Sequence, residues 1–173
     1  MAPRLAALLT LWVATPAAAQ PWRSRPWGVG ANIADPVGVT VKRWFGDWTA
    51  LQGTAGWRVL GNEELEWPGP LVAVDALVHL PRAVPRESGV GFSLHAGVGA
   101  GAGAVRSGCW FDSVAEFCVD DAAFSALLRA PIGVDLRLAA ARVEVGFEAV
   151  PAYRLAPAPR TTFLGGFFVR FYV

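Results

Sequence analysis

Residues 163–173 read FLGGFFVRFYV, and the side chains of this stretch alternate between two kinds of position. The odd positions are apolar or glycine: Phe163, Gly165, Phe167, Val169, Phe171 and Val173. The even positions include the polar side chains of Arg170 and Tyr172. Because successive side chains of a β-strand point to opposite faces, a period of two residues predicts a strand. One face of this strand is therefore predicted to be wholly apolar.

The same alternation covers most of the chain upstream. Together with the last strand it predicts eight strands, at residues 27–34, 37–45, 49–59, 71–80, 90–104, 124–138, 142–150 and 162–173. Turn signals such as Asp35-Pro36 and the proline-rich stretch 151–160 separate them. Eight strands of about ten residues, tilted by about 45°, can cross a bilayer and close on themselves. We therefore predict an all-β fold, an eight-stranded antiparallel up-and-down transmembrane β-barrel.

Alternation alone fits two kinds of barrel, because the apolar face can point inward in a soluble protein or outward into lipid. The chain is 54% hydrophobic and only 17% charged, which is unusual for a soluble domain. Aromatic residues near the predicted strand ends match the girdle of a membrane barrel: Trp27, Trp44, Phe45, Trp48 and Trp57, of which Trp44 has the parity of the polar face. We predict that the apolar face contacts lipid, with a soluble, lipocalin-like ligand-binding barrel as the alternative.

Charged residues of both signs recur on the polar face of neighbouring strands. They are Lys42, Asp75, Arg129, Asp135, Arg137, Arg142, Glu144, Glu148 and Arg170. Buried charges are tolerated only when they are paired, so we predict a charge network inside the barrel. Eight strands leave an interior only wide enough for side chains, which predicts a plugged lumen and no pore.

The beginning of the chain has the pattern of a secretory signal peptide. Arg4 is followed by an apolar run from Leu5 to Val13 and by small residues up to Ala19. The run is shorter than the about 20 residues that a membrane-spanning helix needs. We expect residues 1–19 to be the signal peptide and residues 20–173 the barrel domain. The barrel domain would then have 14 acidic and 14 basic residues and no net charge, which argues against nucleic acid as a partner.

Cys109 and Cys118 lie in the longest predicted connection, residues 105–121. In an exported protein such a nearby pair predicts a disulfide. The two cysteines lack the Cys-x-x-Cys spacing and the neighbouring His that would indicate a metal site. Aromatic residues of the same connection are candidate contacts for a partner, or alternatively a small core around the disulfide: Trp110, Phe111 and Phe117.

Ser93 and His95 are candidates for catalysis, because they share one face of the fifth predicted strand. Outer-membrane lipid A deacylases also use a His and a Ser two residues apart, but in the opposite order and facing lipid. A nucleophilic dyad needs hydrogen-bond reach and access for a substrate, and Asp75 is the acid that could approach from the adjacent strand. We predict no catalytic, cofactor or metal residues, and keep a lipid-modifying barrel enzyme as an alternative.

Several segments resemble a family of small bacterial outer-membrane β-barrels: ADPVGVTVKRWF at 34–45, APIGVDLRL at 130–138, VGFEAVPAYRLAP at 145–157 and FFVRFYV at 167–173. The resemblance implies an eight-stranded barrel similar to the outer-membrane protein A and X types, with both chain termini in the periplasm. It brings no established reaction. The family usually ends in Phe, which the assembly machinery favours, whereas this chain ends in Tyr172-Val173.

The predicted function is therefore that of a non-enzymatic barrel of the bacterial outer membrane with a structural or surface-interaction role. The expected partners are outer-membrane lipid, the barrel-assembly machinery and an extracellular ligand whose identity the sequence does not give. We expect a monomer that uses no cofactor.

Overall fold

The computed structural model describes residues 25–58, 69–80, 89–105, 108–111, 116–119, 123–157 and 159–173. The predicted signal peptide lies outside these residues. The strands are β1 (Trp27–Asp35), β2 (Val37–Phe45), β3 (Thr49–Trp57), β4 (Pro70–His79), β5 (Val90–Val105), β6 (Gly108–Phe111), β7 (Glu116–Val119), β8 (Ala123–Arg129), β9 (Ile132–Leu138), β10 (Val143–Ala156) and β11 (Arg160–Tyr172). None of the described residues belongs to a helix with the length and apolar character needed to cross a membrane.

Nine of these strands form one antiparallel sheet that closes on itself, because β11 pairs with both β10 and β1. β8 and β9 together make one barrel strand. Both pair with β5 in a single register, with Arg129 opposite Gly99 and Ile132 opposite Ala96. The ladder is interrupted only at Ala130-Pro131, where the proline has no amide hydrogen to donate. The predicted fold class, an eight-stranded antiparallel up-and-down β-barrel, is confirmed.

Two predicted connections are partly wrong. Residues 151–160 are mostly strand, since β10 continues to Ala156 and β11 already begins at Arg160. Pro151 lies opposite Phe163, and its carbonyl accepts the amide of Ala130 at 2.9 Å. A proline removes only its own donor, so it does not end a strand whose partners need none at that place. Within the predicted connection 105–121, β6 and β7 form a separate two-stranded sheet.

The two ends of the barrel differ. One end carries residues 25 and 173 and the turns at 46–48 and 139–142, and we call it the terminal end. The other end carries the connections that follow β1, β3, β5 and β10, including the β6–β7 hairpin, and we call it the hairpin end. This arrangement follows from an even number of antiparallel strands.

The outer face of the barrel is apolar. Every barrel strand contributes exposed large hydrophobic side chains, up to Val98 at 69% and Phe124 at 65% exposure. Among the charged side chains whose burial is described, only Arg43 and Arg142 are exposed. The predicted girdle residues Trp27, Phe45, Trp48 and Trp57 are exposed too, whereas Trp44 lies inside the barrel.

Candidate functional site: the buried ionic network

Three groups of side chains fill most of the barrel interior, and the buried Asp35, Arg58 and Arg154 lie beyond them at the hairpin end. Toward the hairpin end lies an apolar cluster of Leu71, Leu127, Val150, Ala152 and Leu164. Toward the terminal end lies a second cluster of Trp44, Ala50, Leu77 and Tyr172. Charged and polar side chains fill the space between these two clusters. The charged middle layer is therefore flanked on both sides by buried apolar side chains.

Glu144 is the centre of the middle layer and has no exposed surface. Its Oε1 accepts hydrogen bonds from Lys42 Nζ at 3.0 Å and Arg170 Nη1 at 2.7 Å. Its Oε2 accepts from Arg137 Nε at 2.8 Å and from the Tyr172 hydroxyl at 2.6 Å. Strand register explains this arrangement, because Arg170 on β11 and Arg137 on β9 are the direct cross-strand partners of Glu144.

Two further carboxylates complete the network. Asp135 accepts from Lys42 Nζ at 3.4 Å, from Arg137 Nη2 at 3.1 Å and from the Ser93 hydroxyl. Both carboxylate oxygens of Glu148 accept a hydrogen bond from Gln52 Nε2, Oε1 at 3.0 Å and Oε2 at 2.9 Å. We call Lys42, Asp135, Arg137, Glu144, Glu148 and Arg170 the ionic network. Its three cations and three carboxylates balance, as the burial of charges requires.

Aromatic rings of the interior pack against the cations. The guanidinium of Arg137 lies 4.1 Å from the ring centroid of Trp44, and that of Arg170 lies 3.8 Å from that of Phe168. Phe168 fits because its cross-strand partner is Gly146, where an added Cβ would lie 2.3 Å from the Phe168 ring. Glycines of the inner face thus make room for the large side chains opposite them.

Eight of the nine residues predicted for the lumen network are buried, and Arg142 is not. Its predicted place was wrong because β10 begins one residue later, at Val143, so that Arg142 belongs to the exposed turn at 139–142. Arg129 and Asp75 form a separate buried pair, with Nε 3.0 Å from Oδ1.

Sequence reasoning missed the buried pair of Arg58 and Asp35, whose Nη2 and Oδ2 atoms are 3.2 Å apart. It also missed the buried Arg154. The parity of Arg58 on the third strand was a usable signal. Asp35 gave none, since a residue before proline at a strand end indicates a turn first.

Ser93 and His95 do not form a catalytic pair in this arrangement. The Ser93 hydroxyl is bound to Asp135, and His95 Nε2 lies 3.1 Å from Glu148 Oε1. Asp75, the predicted acid partner, is paired with Arg129 instead. Within the described part of the chain no hydrogen bond joins Ser93 to His95, and both are at most 3% exposed. The Ser93 hydroxyl thus donates to a carboxylate and not to the imidazole, and both side chains lie in the buried interior.

His79, His95 and Asp135 are the described residues that come nearest to a metal site, with one ligand atom of each within 4.8 Å of the others. Neither ring nitrogen of His79 has a hydrogen-bond partner among the described residues. However, Asp135 already accepts from Lys42, Arg137 and Ser93. Two cations beside the carboxylate oppose the binding of a divalent ion, so we assign no metal to this group.

The β6–β7 hairpin brings the predicted surface residues together at the level of the backbone. Cys109 lies directly opposite Cys118, and Trp110 lies opposite Phe117. Phe111 pairs with Glu116. The side chains of this hairpin lie outside what the structure describes, so the disulfide and the aromatic contacts stay predictions. Comparison with known proteins finds no matching family model, no matching curated protein and no matching solved structure.

Proposed function

We propose that this protein is a non-enzymatic β-barrel of the bacterial outer membrane, with a sealed polar interior and a structural or surface-interaction role. The observation that carries the proposal is the reversal of the two barrel faces. Large apolar side chains cover the outside of all eight barrel strands, while six members of a balanced ionic network are buried inside.

The size of the apolar belt favours lipid over water as its surroundings. Soluble monomers rarely expose a contiguous apolar patch larger than a few hundred Å². Among the residues whose burial is described, 29 large hydrophobic ones are exposed, spread around the whole barrel. Burying such a side chain fully is worth about 1.5–3 kcal/mol. Closure adds to this, since an open sheet edge in hydrocarbon would leave unpaired amides and carbonyls.

In the proposed orientation the terminal end faces the periplasm and the hairpin end faces the outside. The partners are then outer-membrane lipid along the belt and the assembly machinery during insertion. Trp110, Phe111 and Phe117 of the β6–β7 hairpin are the proposed contacts for an extracellular ligand. Large aromatic residues on a loop are typical of binding surfaces.

A transport role is not favoured by the interior. Two apolar clusters close the lumen above and below the ionic network. We expect planar-bilayer recordings of the purified protein to show no large, steady channels, and such channels would contradict the sealed interior. We also expect Ser93→Ala to leave the lipid A mass profile of the cell unchanged, while a changed profile would favour the enzyme alternative.

Val134→Arg tests the membrane location. Val134 lies on the outer face of β9 and is 37% exposed, so an arginine there fits sterically in either surrounding. In lipid the charge costs about 2–4 kcal/mol at mid-membrane depth, but in a soluble barrel it would simply extend into water. We expect the variant to fail to insert into phospholipid vesicles, measured by the loss of heat-modifiable migration in gels.

Ala140→Arg is the matched control, since it adds the same charge in the exposed turn at the terminal end. We expect it to insert like the parent chain. Equal insertion of both variants, or a parent chain that stays monomeric without detergent, would contradict the membrane location.

A further inference from the structure

Arg43 is an exception on the outer face of the barrel. Among strand residues whose burial is described, it is the only charged one with an exposed side chain, because Arg142 lies in a turn. It sits near the terminal end of β2, two residues before Phe45, where that strand ends. An isolated charge at the edge of an apolar belt suggests a specific contact outside the protein.

Two aromatic rings hold the Arg43 side chain. Its guanidinium carbon lies 5.0 Å from the ring centroid of Trp27 and 4.9 Å from that of Phe45. Trp27 is the direct cross-strand partner of Arg43, so the first ring is positioned by the β1–β2 register. Cation–π contacts of this length fix the guanidinium without using its hydrogen-bond donors. Among the described residues, no carboxylate forms an ion pair with Arg43.

Arg25 adds a second cation beside this group. The amide of Trp44 donates to the Pro26 carbonyl at 2.9 Å, which continues the β1–β2 pairing beyond Trp27. Arg25 therefore lies at the level of Phe45, next to Arg43 on the neighbouring row. On this face β1 contributes Trp27 opposite Arg43 of β2, and the same register places Arg25 opposite Phe45. At the level of the backbone this face therefore carries two arginines and two aromatic residues.

A phosphate group matches these properties. A guanidinium binds phosphate oxygens through two parallel N–H donors, which a lysine cannot do. Tryptophan and other aromatic rings are enriched at the level of lipid headgroups. Leu51, the partner of Arg43 on β3, and Val29, two residues further along β1, are exposed and apolar on the same outer face, as acyl chains require.

We propose that Arg43, framed by Trp27 and Phe45 and assisted by Arg25, binds the phosphate of a glycerophospholipid in the leaflet at the terminal end. The inference rests on the proposed membrane location. It goes further by assigning one headgroup site and by setting the depth of the barrel in the bilayer. The phosphate sits at the guanidinium, and the acyl chains run along the belt toward the hairpin end.

The test compares two lipids that differ only in the headgroup. The full mature chain in detergent micelles is titrated with phosphatidylglycerol or with diacylglycerol of the same acyl chains, and bound lipid is counted by native mass spectrometry. We expect one phosphatidylglycerol to be retained in preference to diacylglycerol. One interfacial arginine is worth about 1 kcal/mol, so Arg43→Gln should weaken that binding about fivefold.

Two variants separate a built site from general charge. Arg142→Gln removes the same charge from the same end of the barrel and should leave phosphatidylglycerol binding unchanged. Arg43→Lys keeps the charge without the planar fork and should bind with intermediate strength. An equal loss in Arg142→Gln and Arg43→Gln, or full binding by Arg43→Gln, would contradict the proposal.

The source of the phosphate is tested in the same experiment. Inorganic phosphate should not compete at millimolar concentration, because it lacks the acyl chains that contact the apolar face. Displacement of phosphatidylglycerol by inorganic phosphate would overturn the assignment to a lipid headgroup. Insertion of the parent chain into vesicles is measured in parallel. A barrel that inserts but shows no headgroup preference contradicts only the phosphate site, whereas a barrel that does not insert contradicts the membrane location.

Discussion

Replacing Glu144 with glutamine should destabilise the barrel more than any other single change of charge in the ionic network. The carboxylate accepts four hydrogen bonds at 2.6–3.0 Å and has no exposed surface. Glutamine keeps the shape but turns one acceptor into a donor that faces other donors. It also leaves three cations, Lys42, Arg137 and Arg170, against the two carboxylates of Asp135 and Glu148.

The magnitude follows from these contacts. A hydrogen bond to a charged group is worth about 1.5–3 kcal/mol, but the four bonds share partners and are not additive. Removing one partner of a buried ion pair costs about 3–5 kcal/mol, because a charge is left uncompensated. We therefore expect the free energy of unfolding to fall by about 3–5 kcal/mol.

The assay is equilibrium unfolding in urea of the protein in phospholipid vesicles, followed by tryptophan fluorescence. Arg142→Gln, a charge change in the exposed turn, is the control and should leave the midpoint unchanged. Adding Lys42→Met to Glu144→Gln restores two cations against two carboxylates and should recover at least about 1 kcal/mol. A loss below about 1 kcal/mol for Glu144→Gln alone would refute the idea that charge balance holds the interior together.

Three further changes test separate features. His79→Phe should leave the free energy of unfolding unchanged or raise it by about 1 kcal/mol in the urea assay. The His79 ring nitrogens lack hydrogen-bond partners among the described residues, with Nε2 3.6 Å from Asp135 Oδ1, while the ring contact with Trp44 at 4.3 Å suits a second aromatic ring. A loss above about 2 kcal/mol would contradict this. Gly146→Ala should lower the free energy of unfolding by about 1–3 kcal/mol, because the new Cβ would lie 2.3 Å from the Phe168 ring. Gly53→Ala is the control, since the nearest atom to its new Cβ is 4.0 Å away, and it should have a far smaller effect. Equal effects of the two changes would count against crowding as the cause. Cys109 and Cys118 should resist maleimide labelling until they are reduced, and labelling before reduction would disprove the disulfide. Reduction should not change the heat resistance of the barrel, because β6 and β7 form a separate sheet.

Most of the fold could be predicted from the sequence because a period of two residues assigns each strand residue to one face. Val134 and Asp135 are separated in this way without any knowledge of their neighbours. Arg142 was misplaced because alternation continues by chance into a turn, and strand ends are decided by backbone hydrogen bonds that no pattern records. Pro151 was misread for the same reason, since a proline in a strand depends on what its neighbours need.

Contacts between distant parts of the chain could not be predicted. Trp44 donates to the Tyr172 hydroxyl across 128 positions, and this contact exists only because β11 closes onto β1. Likewise, the neighbouring imidazoles of His79 and His95 depend on the register of β4 against β5. Parity identifies the residues of the interior, whereas closure and register determine their partners.

The central claim is that the apolar face meets acyl chains while the polar face is enclosed, and two native tryptophans at nearly the same depth can test it. Trp27 is 43% exposed on the outer face, and Trp44 is 5% exposed inside the barrel, close to it along the β1–β2 pairing. Single-tryptophan variants, in which Trp27 or Trp44 is kept and every other tryptophan of the chain is replaced by phenylalanine, can be inserted into vesicles whose phospholipids carry bromine on the acyl chains. We expect bromine to quench Trp27 strongly and Trp44 hardly at all, with neither reached by iodide in water. Strong iodide quenching of Trp27 without bromine quenching would contradict the lipid-facing outer surface.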